Sequence, residues 1–140
     1  MRTDYHVHTE FSDDSNYPME QVIKDAITKG FDELCFTDHV DYGIKKDWDE
    51  PGEMIYRKGG AGEPDQMPVA NVDYPVYYKT FQKMKELYQD KISLKFGLEF
   101  GMQAHTVEKY EKLFSRYPFD FIILSVHEIE DKEFLIKSCV

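Results

Sequence analysis

Phe119-Asp120-Phe121-Ile122-Ile123-Leu124-Ser125-Val126 is apolar at all but two of its positions. A short run of this kind, rich in aromatic and β-branched residues, reads as a strand covered on both faces, the signature of a parallel sheet flanked by helices. Three further runs upstream also read as strands: Tyr5–His8, Glu33–Thr37 and Ser93–Phe100. Helical patterns separate them. Residues 18–29 place Met19, Val22, Ile23, Ala26 and Ile27 on one stripe, with Ser15 or Asn16 as the expected cap, Pro18 in the first turn and Gly30 as the stop. Residues 75–88 follow Asp73 as cap and carry Tyr77, Tyr78, Phe81, Met84, Leu87 and Tyr88 at helical spacing. Residues 106–116 carry Val107, Tyr110, Leu113 and Phe114, and Pro118 ends them. The alternation of strand and helix predicts an α/β fold with four parallel strands.

Composition sets the outer bounds. The chain has 140 residues, enough for one domain with its own core. It carries 17 Lys and Arg against 27 Asp and Glu, a formal charge of −10, which disfavours nucleic acid and anionic membranes as partners. A small phosphorylated substrate remains compatible, because a local cation overrides the global field. Cys35 and Cys139 make no disulfide framework. No apolar run approaches a membrane span, and the N-terminus lacks the apolar segment of a secretory leader, so a cytoplasmic protein is expected.

One stretch breaks the rhythm. Residues 40–72 are polar and hold five of the eight glycines and three of the six prolines. They read as a long structureless insert within a single domain of residues 1–140, either a functional lid or a surface excursion.

The histidines carry the chemical signal. His6 and His8 lie two apart on the first strand, and their side chains leave the same face. His39 ends the second strand, Glu99 lies near the end of the third, and His127 follows the fourth. In parallel α/β folds active sites form at the C-terminal ends of strands. Imidazoles joined by a carboxylate are the donor set for Zn, Mn or Fe. One His-x-His alone is weak evidence; four histidines at equivalent strand ends are not easily a coincidence. His105, at the start of the third helix, reads as a surface or capping residue. Lys45, Lys46, Arg57 and Lys58 in the insert are candidate phosphate donors, Arg57 being the best suited by its fork geometry. Trp48 and Tyr56 either cover a substrate ring or pin the insert to the sheet.

Asp4-Tyr5-His6-Val7-His8-Thr9, Phe36-Thr37-Asp38-His39, Gly97-Leu98-Glu99-Phe100-Gly101 and Ser125-Val126-His127 resemble, in order, the motifs of the PHP (polymerase and histidinol phosphatase) superfamily. The Gly-Leu-Glu-Phe-Gly form, the insert after Thr-Asp-His and Asn71-Val72-Asp73-Tyr74 resemble its monofunctional histidinol-phosphatase branch. The likeness runs from Asp4 to about Glu133. It implies a distorted (β/α)7 barrel with two or three divalent metal ions, of which this chain supplies the N-terminal half. By the resemblance His6 and His8 bind the first metal and Glu99 bridges it to a second. His127 binds the second metal, and His39 and Asp14 the third; Asp13 is the alternative to Asp14. The resemblance gives His6, His8, Glu99 and His127 the catalytic role. It implies hydrolysis of L-histidinol phosphate in histidine biosynthesis by a metal-bridging hydroxide. A different phosphate ester such as a nucleotide, or a non-catalytic metal-binding fragment, are the alternatives. Asp38 either orients a ligand from behind or ends a strand. Family members are close to twice this length, and their later strands supply further metal ligands. Self-association, or a missing C-terminal half, is therefore expected.

Overall fold

The computed structural model describes residues 1–12, 15–52, 55–57, 67–126, 128–129 and 132–133, with only the backbone described for 55–57, 67–69, 128–129 and 132–133. Four strands form one sheet in the order β1 (Thr3–Val7), β2 (Glu33–Val40), β5 (Ser93–Gly101), β6 (Phe121–Ser125), every neighbouring pair parallel. The helices α1 (Met19–Thr28), α2 (Tyr74–Tyr88) and α3 (Val107–Arg116) make the crossovers. These are the four parallel strands that the strand–helix alternation predicts, and they form the half-barrel that the family resemblance implies.

The register sorts the two faces of the sheet. Leu34 pairs with Leu94, Phe36 with Phe96 and Val40 with Phe100, and all six are buried. They meet the helices: Phe96 lies 5.0 Å from the rings of both Tyr77 and Phe81, and Phe100 lies 4.5 Å from Tyr110. The helices answer with residues at 3–4 spacing, Met19, Ile23 and Ala26 on α1, Tyr74, Tyr77, Phe81 and Met84 on α2, Tyr110 and Leu113 on α3. The opposite face carries Cys35 beside Lys95, Thr37 beside Gly97 and His39 beside Glu99. Gly97 is a steric requirement, since a Cβ there would stand 2.2 Å from the Phe121 carbonyl oxygen.

Three local expectations need correction. The cap of α1 is Pro18 itself, in extended conformation and without a side-chain hydrogen bond; neither Ser15 nor Asn16 serves. Gly30, at φ +82°, does end that helix, and Asp73 does cap α2 by accepting from the Val76 N–H. β6 is not covered on both faces: Phe121 and Leu124 are exposed, as is Val126 just beyond, because β6 is paired on one side only among the described residues. The insert is not one structureless loop. It contains an antiparallel pair, β3 (Ile55–Arg57) with β4 (Met67–Val69), and a second small pair, β7 (Glu128–Ile129) with β8 (Lys132–Glu133), follows β6.

The two ends of the insert are clasped together. Asp41 N–H donates to Asn71 Oδ1 at 2.9 Å, Asn71 N–H to the Lys46 carbonyl at 2.7 Å, and Asn71 Nδ2 to Asp47 Oδ1 at 2.9 Å. Tyr74 donates to Asp47 at 2.6 Å, and the Tyr110 hydroxyl, between the Val40 and Gly101 carbonyls, also accepts from Tyr42 N–H. Burial pushes the Tyr42 and Tyr74 phenols well above their ordinary pKa. Both act as neutral donors in this network.

Candidate metal centre

His6 and His8, two residues apart, leave the same face, and the register of β1 against β2 shifts just where they begin. Thr3 pairs with Glu33, but Val7 pairs with Phe36, so β1 holds one residue more than β2 over the same span. The Asp4 carboxylate accepts from His6 N–H at 2.9 Å inside this irregularity, and Thr37 Oγ1 accepts from Val7 N–H at 3.1 Å. Within the same irregularity the Tyr5 hydroxyl donates to Glu33 at 2.6 Å. That bond pushes the Tyr5 phenol up to about 12 and holds Glu33 below the usual carboxylate range.

Glu99 is the hub. His39 and Glu99 are direct register partners across β2 and β5. Glu99 Oε1 is in contact with His6 Nε2 and lies 3.3 Å from His8 Nε2, while Oε2 lies 3.3 Å from His39 Nδ1. The rings of His6 and His8 are 5.0 Å apart and those of His8 and His39 are 4.2 Å apart. The carboxylate is 2% exposed, whereas His6 is 58% exposed. One donor atom each from His6, His8 and Glu99 falls within 4.8 Å of the others. A buried carboxylate with imidazole nitrogens converging on both its oxygens fits a divalent transition cation. An anion alone in that position would be costly to bury.

Behind the imidazoles lies Asp38, fully buried. It accepts from Thr9 N–H at 2.6 Å, Thr9 Oγ1 at 2.9 Å and Ser12 Oγ at 2.5 Å. Burial pushes its carboxyl up, and these donors pull it back. Ser12 Oγ accepts in turn from His39 N–H at 3.0 Å, and Thr9 Oγ1 from Phe11 N–H at 3.2 Å. Asp38 thus touches the segments around the ligands and not the imidazoles. Thr9 and Ser12 escaped the sequence reading. A Thr directly after His-x-His and a Ser three residues on were the available signal, but only the β1–β2 pairing brings them to Asp38.

His6, His8, His39 and Glu99 are therefore brought together. Asp13, Asp14 and His127 lie outside the described residues, as do the Arg57 and Tyr56 side chains and Lys58. Lys45 is not a surface charge: it is buried against Asp41, with its Nζ 2.7 Å from the carboxylate. Trp48 is partly exposed, and His105 sits in a short 3-10 turn at the head of α3, exposed as expected. Cys35 is buried, and burial pushes its thiol up to about 12, which leaves it inert.

The model of the PHP domain family matches residues 4–139. The chain is 31% identical over 132 residues to a histidinol-phosphatase of Lactococcus lactis, covering 94% of this chain and 41% of that protein. It is 29% identical to a probable histidinol-phosphatase of Clostridium acetobutylicum, covering 96% and 43%. It also superposes on the crystal structure of the Lactococcus lactis histidinol phosphate phosphatase complexed with Zn, L-histidinol and phosphate. The TM-score there is 0.74 at 30% identity, over 94% of this chain and 42% of that one. The chain thus spans about 41% of the length of its Lactococcus relative.

Proposed function

The chain belongs to the PHP domain family, and from that membership we propose that it forms the N-terminal part of a metal-dependent phosphatase that hydrolyses L-histidinol phosphate. The observation that carries this reading is the convergence of His6, His8 and His39 on the two oxygens of buried Glu99. The family supplies the phosphoester chemistry, and the Lactococcus relative, bound to Zn, histidinol and phosphate, supplies the substrate class.

His6, His8 and Glu99 would hold a first cation, and His39, whose Nδ1 lies 3.3 Å from the other Glu99 oxygen, would ligate a further one, the third by the resemblance. Asp14 and His127 complete the set carried over from the family resemblance, and Arg57 is the candidate phosphate donor. Divalent ions in such a centre lower the pKa of water and neutralise phosphoryl charge during in-line attack. The chain's own residues do the rest. Burial of Glu99 keeps its charge unscreened and directed at the mouth of the sheet. The bulge in β1 aims both imidazoles at that carboxylate, and the clasp at Asn71 anchors the insert beside the same mouth.

The half-barrel is completed by further chain or by a second copy. Leu124 and Val126 at the open β6 edge, with Phe114 on α3, form an apolar face of the kind that soluble monomers seldom leave bare. A location in the cytoplasm follows from the proposed biosynthetic role; among the described residues no helix is long and apolar enough to cross a membrane.

Phosphate release tests the substrate assignment. With added Mn²⁺ or Zn²⁺, histidinol phosphate is hydrolysed faster than a nucleoside monophosphate. Equal or reversed rates point to another phosphoester, and retained metal without turnover of either points to a non-catalytic fragment. Sedimentation of the 140-residue protein tests completion by a second copy: a mass above the monomer is expected, and a well-behaved monomer at high concentration contradicts that route.

A further inference from the structure

The hydrogen-bonded ladder between β1 and β2 has its last pair at Val7 and Phe36. His8 and His39 both lie beyond it, so backbone pairing does not fix their separation. Yet their rings stand 4.2 Å apart. What joins the two strands past the ladder is a buried side chain. Asp38 Oδ1 receives Thr9 N–H and Ser12 Oγ, and Oδ2 receives Thr9 Oγ1. Each hydroxyl passes the constraint on: Ser12 Oγ accepts from His39 N–H, and Thr9 Oγ1 accepts from Phe11 N–H. The carboxylate therefore grips the residue after His8 and, through Ser12, the backbone of His39.

We propose that Asp38 is a positioning residue, a clamp acting through Thr9 and Ser12 that holds the His8 and His39 imidazoles at the spacing needed to share Glu99. It does not ligate metal itself. All three groups on Asp38 are donors, so the clamp needs an acceptor-only carboxylate; an amide at this position turns one contact into a donor–donor clash. Partners of this kind behind metal ligands typically change metal affinity by about 10–100-fold when lost.

The binding arm of the test rests on the metal-centre reading; the second arm does not. Zn²⁺ affinity is measured by chelator competition, and the Co²⁺ visible spectrum is recorded, for wild type, Asp38→Asn, Thr9→Val and Ser12→Ala. Asp38→Asn is expected to bind Zn²⁺ about 10–100-fold more weakly, with a shifted Co²⁺ band. Thr9→Val and Ser12→Ala show smaller losses that are less than additive with Asp38→Asn. Ile92→Val, a buried core position between α2 and the start of β5, lowers the melting temperature without moving Zn²⁺ affinity or the Co²⁺ band. In the metal-free protein, the NMR cross-peak between the His8 and His39 rings is present in wild type and lost in Asp38→Asn and Ser12→Ala. Should Asp38→Asn not fold, the two hydroxyl variants carry the test. Zn²⁺ affinity within twofold of wild type in the folded variants, or a ring cross-peak that persists in them, overturns the clamp. If wild type binds no Zn²⁺ while the cross-peak still depends on Asp38, the clamp stands and the metal reading falls.

Discussion

Replacing Gly97 by Ala is the most demanding single test of the sheet that presents Glu99. A Cβ at this position stands 2.2 Å from the Phe121 carbonyl oxygen, 3.0 Å from the Phe36 carbonyl oxygen and 3.1 Å from Cys35 Sγ. Two of these neighbours are backbone of the flanking strands, so no rotamer change relieves the contact. β6 must retreat by about 1 Å from β5, at the point where Gly97 and Phe121 begin their pairing. Overpacking in a closed core costs about 1–3 kcal/mol. Each ladder bond weakened by the retreat adds about 1 kcal/mol, and Tyr77, whose hydroxyl donates to the Gly97 carbonyl at 2.9 Å, is disturbed as well. The sum is about 3–5 kcal/mol, a large share of the roughly 5–15 kcal/mol of a typical domain. Urea unfolding followed by circular dichroism measures it, with Gly30→Ala as the comparison. Gly30 meets nothing closer than the Arg2 side chain at 4.0 Å, and Ala there pays only for φ +82°, about 1–2 kcal/mol. A loss below about 1 kcal/mol for Gly97→Ala, or one no larger than for Gly30→Ala, refutes the packing argument.

Three other expectations follow from the same geometry. Tyr110→Phe removes the hydroxyl that sits between the Val40 and Gly101 carbonyls and accepts from Tyr42 N–H; a loss of about 1–3 kcal/mol in urea unfolding is expected, with the start of the insert gaining hydrogen exchange. Tyr5 titrates near 12 in the folded protein against an ordinary 10.0. Because the folded value is raised, its stabilising contribution is complete below about pH 10 and is lost as the pH climbs towards 12. The difference in phenolate absorbance between wild type and Tyr5→Phe locates that titration, and a midpoint at 10 contradicts the Tyr5–Glu33 bond. Glu33 is held low, so its contribution is present above the ordinary carboxylate range and disappears as acid protonates it; Glu33→Gln flattens the acid limb of the stability curve.

The apolar runs were enough to order the four parallel strands and three helices, because strand and helix periods in this chain rarely conflict. They did not reveal how much of β6 is bare: an apolar pattern reports what a strand is suited to, while Leu124 and Val126 are covered only if something packs beyond that edge. The β3–β4 pair went unseen because three-residue strands in a Gly- and Pro-rich stretch have no readable period. The site was legible as far as its residue types reach. His6, His8, His39 and Glu99 could be named from strand ends, but not that Oε1 faces two imidazoles and Oε2 the third. The bulge in β1 and the hydroxyls of Thr9 and Ser12 depend on register between strands, which a single strand's sequence does not encode.

Metal analysis of the purified 140-residue protein after reconstitution with Zn²⁺, set beside His6→Ala and Glu99→Gln, reaches the central claim most directly. Wild type retains at least one equivalent of ion through gel filtration, and each variant loses metal at least as fully as it loses any activity. No ion in wild type, or the same content in all three proteins, contradicts the convergence of these side chains on a shared cation.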